Sequence, residues 1–505
     1  VTPGAGDIAG NVRRNVRYFH GIPLSLLIFL SRRVSMTNFK VLCCAKGESP
    51  EKKVNKGPTF GCRHFQMILY FLLMTYTYCM RTVLSVAIVA MNDNSTSINS
   101  NVPTYNWDNQ SVVLSAFFWG YVMLQIPAGQ LGKKFGAKWM LVCCITVDSV
   151  ACLSIPVTAE YFGATGVMVC RFFQGLSQGC ISPLLHTLLG YWAPPCERSV
   201  IGTFSYAGSV FGNILSLPVT GFICSTWVGW PVAFYLFGAL GLKWVILWIL
   251  FGVDRPGCHK TITSYEKMYI ESSLGHEEHK VHRTPWKAIL TSPPFWAVTF
   301  AFMGANWGSS VLLTQTPTYL NKILKYDIKS NSLLSAAPYV MMMMCSLMFS
   351  PICDMLINRE ILSRGAARKI FNSIGTLCPA VSLTLVGFIP QDEAGIAVTL
   401  LILTGGLSAG GFCSFQVNHM DLSPNHSGVL MGLSNGSTSI FSIISPLIVQ
   451  YIVIDQTNQS MWRTIFVTAA CVYAATDIFY VVFGSGEVQS WNEVKEKDDK
   501  DCTNA

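Results

Sequence analysis

Charged residues are scarce in this 505-residue chain: they make up 12% of it, whereas 51% of the residues are hydrophobic. A soluble protein carries about twice that share of charge. The composition therefore excludes an ordinary water-soluble domain, and the mean hydropathy of +0.41 favours a membrane protein. Apolar runs of about 20 residues, long enough to cross a bilayer as helices, recur along the chain and predict an all-α membrane fold.

Cysteine pairs with zinc-site spacing are also lacking, although the chain contains 18 cysteines. These lie singly or as adjacent pairs inside apolar runs, which is typical of small buried hydrophobes, so we expect no metal site and no disulfide framework. The GxSxG pattern of hydrolases occurs at Ser177, Ser408 and Ser434, but inside predicted membrane helices without a preceding strand. Helix packing explains it better, and we expect no enzyme.

The basic excess, a formal net charge of +8, does not indicate nucleic-acid binding. The basic residues lie in short loops between apolar runs, as the positive-inside rule requires of a membrane protein. The partners that we expect are the lipid bilayer and a small solute, and we expect a monomer.

Twelve apolar runs predict twelve spanning helices. Their extents are about 64–91, 110–132, 139–158, 161–190, 200–223, 231–252, 293–320, 331–357, 369–390, 394–418, 427–452 and 462–484. GLSQG at 175–179 recurs as GLSAG at 406–410, which indicates two parallel halves. We predict the following segments: an extension, 1–62; a first six-helix bundle, 63–253; a cytosolic linker, 254–291; a second bundle, 292–485; and a cytosolic tail, 486–505.

Residues 1–62 differ from the rest, and their apolar run at 22–30 is too short to span. We expect Met36 to be the native start and residues 1–35 to be translated upstream sequence. Sequons at Asn94 and Asn458 lie in segments without Lys or Arg, which predicts glycosylation on the outside.

Polar and ionisable side chains follow one face of the first and fourth predicted spans. On a helix, Arg171, Gln174, Gln178, Ser182 and His186 share an arc, and so do Tyr78 and Arg81. A guanidinium in hydrocarbon is costly unless it faces a bundle interior or a watery cavity. The stripes therefore predict a path for an anionic solute, which two arginines would bind. A fixed ion pair with Asp148, inside the third span, is the alternative.

Several motifs resemble one known family. RFFQGLSQG at 171–179, WAPPCERS at 192–199, TFSYAG at 203–208, NHMDLSP at 418–424 and GVLMGLSNG at 428–436 are similar, in order and spacing, to the anion-transporting branch of the major facilitator superfamily. That branch includes sodium/phosphate cotransporters, sialin and the vesicular glutamate transporters. The resemblance covers residues from about Arg63 to Asn492. It implies the major facilitator fold and alternating access around a midplane site.

The resemblance also suggests roles for residues. Its members have arginines at the positions of Arg81 and Arg171, so these two would bind phosphate or an organic carboxylate. Neutral hydrogen bonds would come from Gln174, Gln178 and Asn306, and Tyr78 would help to shape the substrate pocket. The residues that we assign to coupling or gating are His186, Asp148, Asp354, His419 and Asp421.

Three departures from the family pattern change the expectations. Gln178 stands where several relatives carry a glutamate, so it cannot titrate, which favours sodium coupling or another proton site. Ala305 and Leu114 replace an arginine and a histidine of the vesicular glutamate transporters, which makes glutamate a poor substrate candidate. Lys133 fills the acidic slot of the family's loop between its second and third helices, whereas the second half keeps its acid as Asp354.

These expectations combine into a transporter of small anions, coupled to sodium or protons and without a bound cofactor, in the plasma membrane or a lysosomal or vesicular membrane. One alternative is a lysosomal or vesicular exporter of an organic anion. Another, of a different class, is a transport-silent anion sensor on the same scaffold, which Lys133 and Gln178 suggest because they replace acidic groups.

Overall fold

The computed structural model describes residues 58, 60–92, 99, 102–105, 107, 110–274, 284–324, 328–453 and 458–492. All of them belong to one compact unit, Val54–Ala505. Most of the predicted extension, including Met36, and the sequon at Asn94 lie outside the described residues.

Fourteen α-helices make up most of the described chain. They are α1 Cys62–Asn92, α2 Gln110–Phe135, α3 Ala137–Trp192, α4 Arg198–Cys224, α5 Pro231–Phe251, α6 Ser264–Leu274, α7 Trp286–Leu290, α8 Pro293–Lys322, α9 Ile328–Asn358, α10 Arg364–Phe388, α11 Ala394–Ser408, α12 Phe415–Leu422, α13 Ser427–Ile452 and α14 Gln459–Phe483. Within the described ranges there is no strand, which agrees with the all-α prediction.

Nine helical stretches in the described ranges are long and apolar enough to span a membrane, if α11 and α12 are taken together. Helix α3 is 56 residues long and covers two predicted spans. Helices α8 and α13 occupy the two remaining positions, so all twelve predicted spans are helical. Large apolar side chains such as Trp119, Met123 and Ile126 face outward, as they would against lipid.

Two of the predicted spans differ in detail from the structure. The third and fourth spans are joined without a loop at 159–160, and the break falls at Gly163, with φ 59° and ψ −147°. Glycine adopts this conformation because it has no Cβ. The predicted span 394–418 is interrupted by a 3₁₀ turn, Ala409–Cys413, before α12 begins. In that turn Gly410 packs against the backbone of Gly375, where a side chain would not fit.

Helices pack mainly within each half of the chain. In the first half α1 packs on α4, while α2 and α5 pack on α3; in the second half α8 and α10 pack on α14, and α9 packs on α11. The two halves meet where α13 lies against α2 and α3, and where α9 lies against α4. The boundary between the halves is therefore formed mainly by α2, α3 and α4 on one side and by α9 and α13 on the other.

Gly175 sets the spacing between α2 and α3. A Cβ built there would lie 1.8 Å from the carbonyl oxygen of Phe117, whereas a Cβ on Gly221 meets nothing within 4 Å. We expect Gly175→Ala to lower stability by about 1–3 kcal/mol through overpacking. Gly221→Ala should be neutral or stabilising, because alanine is the better helix former. Thermal unfolding of both variants in detergent tests this, and equal melting temperatures would contradict it.

The loop segments between α5 and α8 mark one end of the molecule, which we call the linker end. There Arg63 of α1 donates to Glu197 at 2.7 Å and to Glu266 of α6 at 3.1 Å, so α6 is bound to the first half. Asp254 accepts a 2.6 Å hydrogen bond from the backbone nitrogen of Lys138 in the first turn of α3. Burial raises the pKa of the Asp254 carboxyl, and these backbone amides oppose the rise.

Candidate functional site

Arg81 lies among aromatic rings inside the first half. Its guanidinium carbon is 4.9 to 5.5 Å from the ring centres of Tyr78, Phe117, Phe118 and Tyr121. Aromatic faces attract a cation but leave its N–H groups unsatisfied. The side chain is only half-buried. The four rings therefore position the guanidinium and leave its donors available.

Arg171 lies beside Arg81 and shares one ring with it. Its guanidinium carbon is 4.8 Å from the centre of Phe117. Its Nη1 donates to the carbonyl oxygen of Arg81 at 3.3 Å and to Oε1 of Gln174 at 3.2 Å. The side chain is buried, and its Nε has no hydrogen-bond partner. Because both acceptors are neutral, the positive charge of Arg171 keeps no direct negative partner.

Within the described ranges, no ion pair involves Arg81 or Arg171. The direct bond to Asp148 that the sequence left as an alternative is not formed. Instead Oδ2 of Asp148 accepts a 2.9 Å hydrogen bond from Nε2 of Gln178. Two neighbouring cations without a carboxylate partner are an arrangement that an anion would complete, since buried charges require pairing.

Five of the six residues predicted to bind substrate thus lie on α1 and α3 near the arginines: Tyr78, Arg81, Arg171, Gln174 and Gln178. Asn306 is on α8 in the second half, where its Nδ2 donates to the carbonyl oxygen of Thr438 on α13 at 3.5 Å. Its role in the site stays a prediction.

His186 and His419 form a separate buried cluster where the halves meet. His186 Nε2 lies 2.9 Å from the carbonyl oxygen of Gln416, and its Nδ1 lies 2.5 Å from the hydroxyl of Tyr206. His419 Nε2 is 2.9 Å from Oγ of Ser434, and the two imidazole centres are 5.6 Å apart. These contacts join α3 and α4 to α12 and α13. They fit the predicted gating role, which stays a prediction.

Asp421 connects the two halves near the linker end. Its carboxylate accepts from Arg198 Nη1 at 2.9 Å and from Arg368 Nε at 2.7 Å, and all three side chains are buried. Arg368 Nη1 also donates to Oγ of Ser199 at 2.6 Å. Because Arg198 and Ser199 belong to the first half and Arg368 to the second, this triad holds that end closed.

Asp354 and Lys133 make two further contacts between the halves. Asp354 accepts from the backbone nitrogens of Ser199 and Val200 at 3.2 and 2.9 Å, so its negative charge lies at the positive end of α4. Lys133, at the position where the family resemblance implies an acid, lies against Nδ1 of His426. In this chain the contact between the halves is therefore made by an amine.

Arg198 and Arg368 were missed as functional residues. Arg198 belongs to the WAPPCERS motif, which was used only for the family resemblance, and Arg368 falls one residue before the predicted helix start at 369. In the structure α10 begins at Arg364, which places Arg368 inside the helix and facing Asp421. The sequence did contain a signal for Arg368, because an arginine one turn inside an apolar helix requires a partner for its charge.

Comparison with protein families gives one match. The sequence model of the Major Facilitator Superfamily matches residues 69–446. Among curated proteins, a Drosophila melanogaster protein named as an inorganic phosphate cotransporter is 38% identical over 468 residues, with 87% of this chain and 88% of that protein covered. Human sialin is 36% identical over 455 residues, covering 85% and 91% of the two chains. Vesicular glutamate transporter 3 of Danio rerio is 35% identical over 439 residues, covering 84% and 73%.

Solved structures match the fold at low sequence identity. The proton:xylose symporter XylE aligns with a TM-score of 0.62 at 16% identity, over 85% of this chain and 97% of its own. The transporter FucP in its outward conformation aligns with a TM-score of 0.56 at 15% identity, over 84% and 100%. These likenesses concern the fold alone.

Proposed function

Because the chain belongs to the Major Facilitator Superfamily, we propose that it is a secondary active transporter of a small anion, inorganic phosphate or an organic carboxylate, coupled to a cation. The observation that carries this proposal is the arginine pair. Arg171 is buried, Arg81 lies against it, and within the described ranges neither forms an ion pair. A multivalent anion would accept from the free donors of both guanidinium groups.

The names of the relatives support an anion but do not select one. The chain resembles proteins named for phosphate, for glutamate and as sialin at similar identity. The site itself has no further positive charge among its described contacts besides Arg81 and Arg171, which suits an anion of one or two negative charges. In this proposal alternating access requires the contacts between the halves at the linker end, such as those of Asp421 with Arg198 and Arg368, to break and re-form.

We further propose that the linker end faces the cytosol. Basic residues concentrate at that end, in the described segments 133–138, 255–274, 284–287 and 359–369, and such loops stay on the cytosolic side. Asn458 would then lie on the opposite side, where its side chain is exposed and its Oδ1 caps α14 by accepting from Ser460 N at 3.0 Å. Its amide nitrogen takes no part in that bond, so the exposed side chain suits glycosylation.

Uptake into proteoliposomes tests the function. The purified chain is reconstituted, and labelled phosphate, sialic acid, urate and glutamate are supplied with a sodium gradient or a proton gradient imposed separately. We expect concentrative uptake of one or more of these anions, and weak uptake of glutamate. Saturable anion binding without flux under any gradient would instead support a sensor, and localisation of the tagged protein to lysosomes or vesicles would favour an exporter.

A further inference from the structure

A second polar cluster lies next to the arginines, on the side of Asp148. Nε2 of Gln178 donates both to Oδ2 of Asp148, at 2.9 Å, and to the carbonyl oxygen of Thr77, at 3.1 Å. One amide nitrogen therefore lies between a carboxylate oxygen and a backbone oxygen that come from different helices. This is the position that a small cation bridging the same two oxygens would take.

The cluster is incomplete as the protein's own side chains form it. Oδ1 of Asp148 and Oγ1 of Thr77 are both fully buried and have no hydrogen-bond partner, and their side chains are 0% and 3% exposed. An unsatisfied buried polar group costs about 1–3 kcal/mol, and a charged one costs more. These two oxygens give the cluster unused acceptor capacity. Its donors are the amide of Gln178 and the amide of Gln174, whose Nε2 is also buried without a partner and acts on Asp148.

We propose that Asp148, Thr77 and Gln178 form a Na⁺ site that couples cation movement to the anion at Arg171, an inference that rests on the proposed function. Carboxylate, hydroxyl and carbonyl oxygens are the ligands that hard cations prefer. When the cation takes the place of the Gln178 amide nitrogen, the displaced side chain can turn its Oε1 toward the cation as a further oxygen ligand. In the described ranges no group of three or more His, Cys, Asp or Glu side chains could hold a metal ion, so this site depends on one carboxylate together with hydroxyl, carbonyl and amide oxygens.

The same cluster explains coupling to the anion. Arg171 is close enough to Asp148 for their charges to interact, and Gln174 influences both side chains. Its Oε1 accepts a hydrogen bond from Arg171, and its side chain also acts on the Asp148 carboxylate. While Asp148 is unneutralised, its negative charge opposes an anion near Arg171. A bound Na⁺ cancels that charge and leaves the positive charge of Arg171 to the anion. By linkage, Na⁺ then raises the affinity for the anion, and the anion raises the affinity for Na⁺ by the same factor.

Thermal unfolding of the purified chain tests the site without any transport. Intrinsic tryptophan fluorescence, for which the chain has 13 tryptophans, is followed in NaCl, KCl and N-methylglucamine chloride at equal ionic strength. Na⁺ should raise the melting temperature specifically, because a ligand that binds only the folded state stabilises it. Asp148→Asn should raise the Na⁺ concentration for half of that shift by about tenfold or more, since even outer-shell ligand partners contribute that much affinity.

Two further variants keep the test interpretable. Thr77→Val keeps the shape of the side chain and removes only the hydroxyl, so it should also weaken the Na⁺ response. Asp477→Asn is the matched control, because Asp477 is another buried carboxylate in a spanning helix, and donors from Asn372 and Ser373 satisfy its two oxygens. This control should keep the native Na⁺ response.

Three results would overturn the site: no Na⁺-specific shift in the native chain, a native response in both Asp148→Asn and Thr77→Val, or an equal loss in Asp477→Asn. Uptake measured on the same preparations separates this inference from the proposed function. Anion uptake that is indifferent to Na⁺ refutes the site and leaves the transporter standing. A Na⁺-specific shift lost in Asp148→Asn, without uptake of any anion, supports the site and refutes anion transport.

Discussion

Replacing Arg171 by alanine should lower the ratio kcat/KM for anion uptake by about 100-fold, equivalent to ~3 kcal/mol, as expected when one partner of a buried charge pair is removed. The reason is the surroundings of its guanidinium. Two neutral acceptors hold Nη1, and Nε has no partner, so the donors that remain are available only to a solute. Initial rates in proteoliposomes at varied substrate concentration measure the effect.

A conservative replacement of Arg171 distinguishes the effect of its charge from the effect of its guanidinium geometry. Arg171→Lys keeps a positive charge but loses the planar fork that binds two oxygens of one anion, so uptake should fall to a level between the native chain and the alanine variant. Arg463→Ala is the matched control. Arg463 also lies over an aromatic ring, 4.5 Å from the centre of Phe388, and also donates to a carbonyl, but it is exposed at the start of α14.

Uptake by Arg463→Ala should equal that of the native chain, within the scatter of reconstitution. If Arg171→Ala also retained native uptake, the anion would have to bind elsewhere, and Arg171 would be a packing residue held by Phe117 and Gln174. A loss in Arg171→Ala that is accompanied by a large drop in melting temperature would point to the same packing role, so unfolding is measured on each variant.

The sequence predicted the spanning helices well because one physical rule governs them all. A membrane helix must be long enough to cross the hydrocarbon core of the bilayer. Long apolar runs, such as those that form α5 and α14, therefore have few possible structures other than a spanning helix. The breaks within helices were harder to place. Gly163 interrupts α3 through its own backbone conformation, and the 3₁₀ turn at Ala409–Cys413 depends on how closely Gly410 approaches α10. Neither the backbone conformation of Gly163 nor the close approach of Gly410 can be predicted from the hydropathy of the sequence.

The site was predictable only in part, for a similar reason. Helical periodicity places Arg171, Gln174 and Gln178 on one face, which a single helix suffices to show. The side chains from other helices that contact these residues could not be predicted from the periodicity of one helix. Two contacts show this. Asp148 accepts a hydrogen bond from Gln178 and forms none with Arg171, and Lys133 contacts His426. Both contacts depend on how segments far apart in sequence pack together.

Replacing Asp421 by asparagine should open the linker end. The Asp421 carboxylate bonds both Arg198 and Arg368, and breaking a buried charge network by removing one partner costs about 3–5 kcal/mol. Since Arg198 and Arg368 belong to opposite halves, this cost falls on the closed arrangement, where two buried cations would face each other. Inverting a 99:1 population takes about 5.5 kcal/mol, so a cost of about 3–5 kcal/mol would move a population of that kind past the point at which half of the molecules are open.

Cys353 reports such an opening. Its Sγ lies 3.5 Å from Arg368 Nη1, and the side chain is buried in the closed arrangement. Reaction with a membrane-impermeant maleimide, read at each cysteine by mass spectrometry, should be slow in the native chain and faster in Asp421→Asn. Exposed Cys196 and Cys258, near the same end, give the reference rate in both. Uptake should fall as well, because a chain that stays open at this end cannot complete the transport cycle.

Asp477→Asn again serves as the control, because Asp477 joins α10 and α14 within the second half and does not link the halves. It should lower the melting temperature while leaving Cys353 protected. Equal labelling of Cys353 in the two variants would mean that loss of any buried carboxylate loosens the second half. In that case the triad would stabilise the fold without controlling which end is closed, and Asp354 at the positive end of α4 would be the next contact to alter.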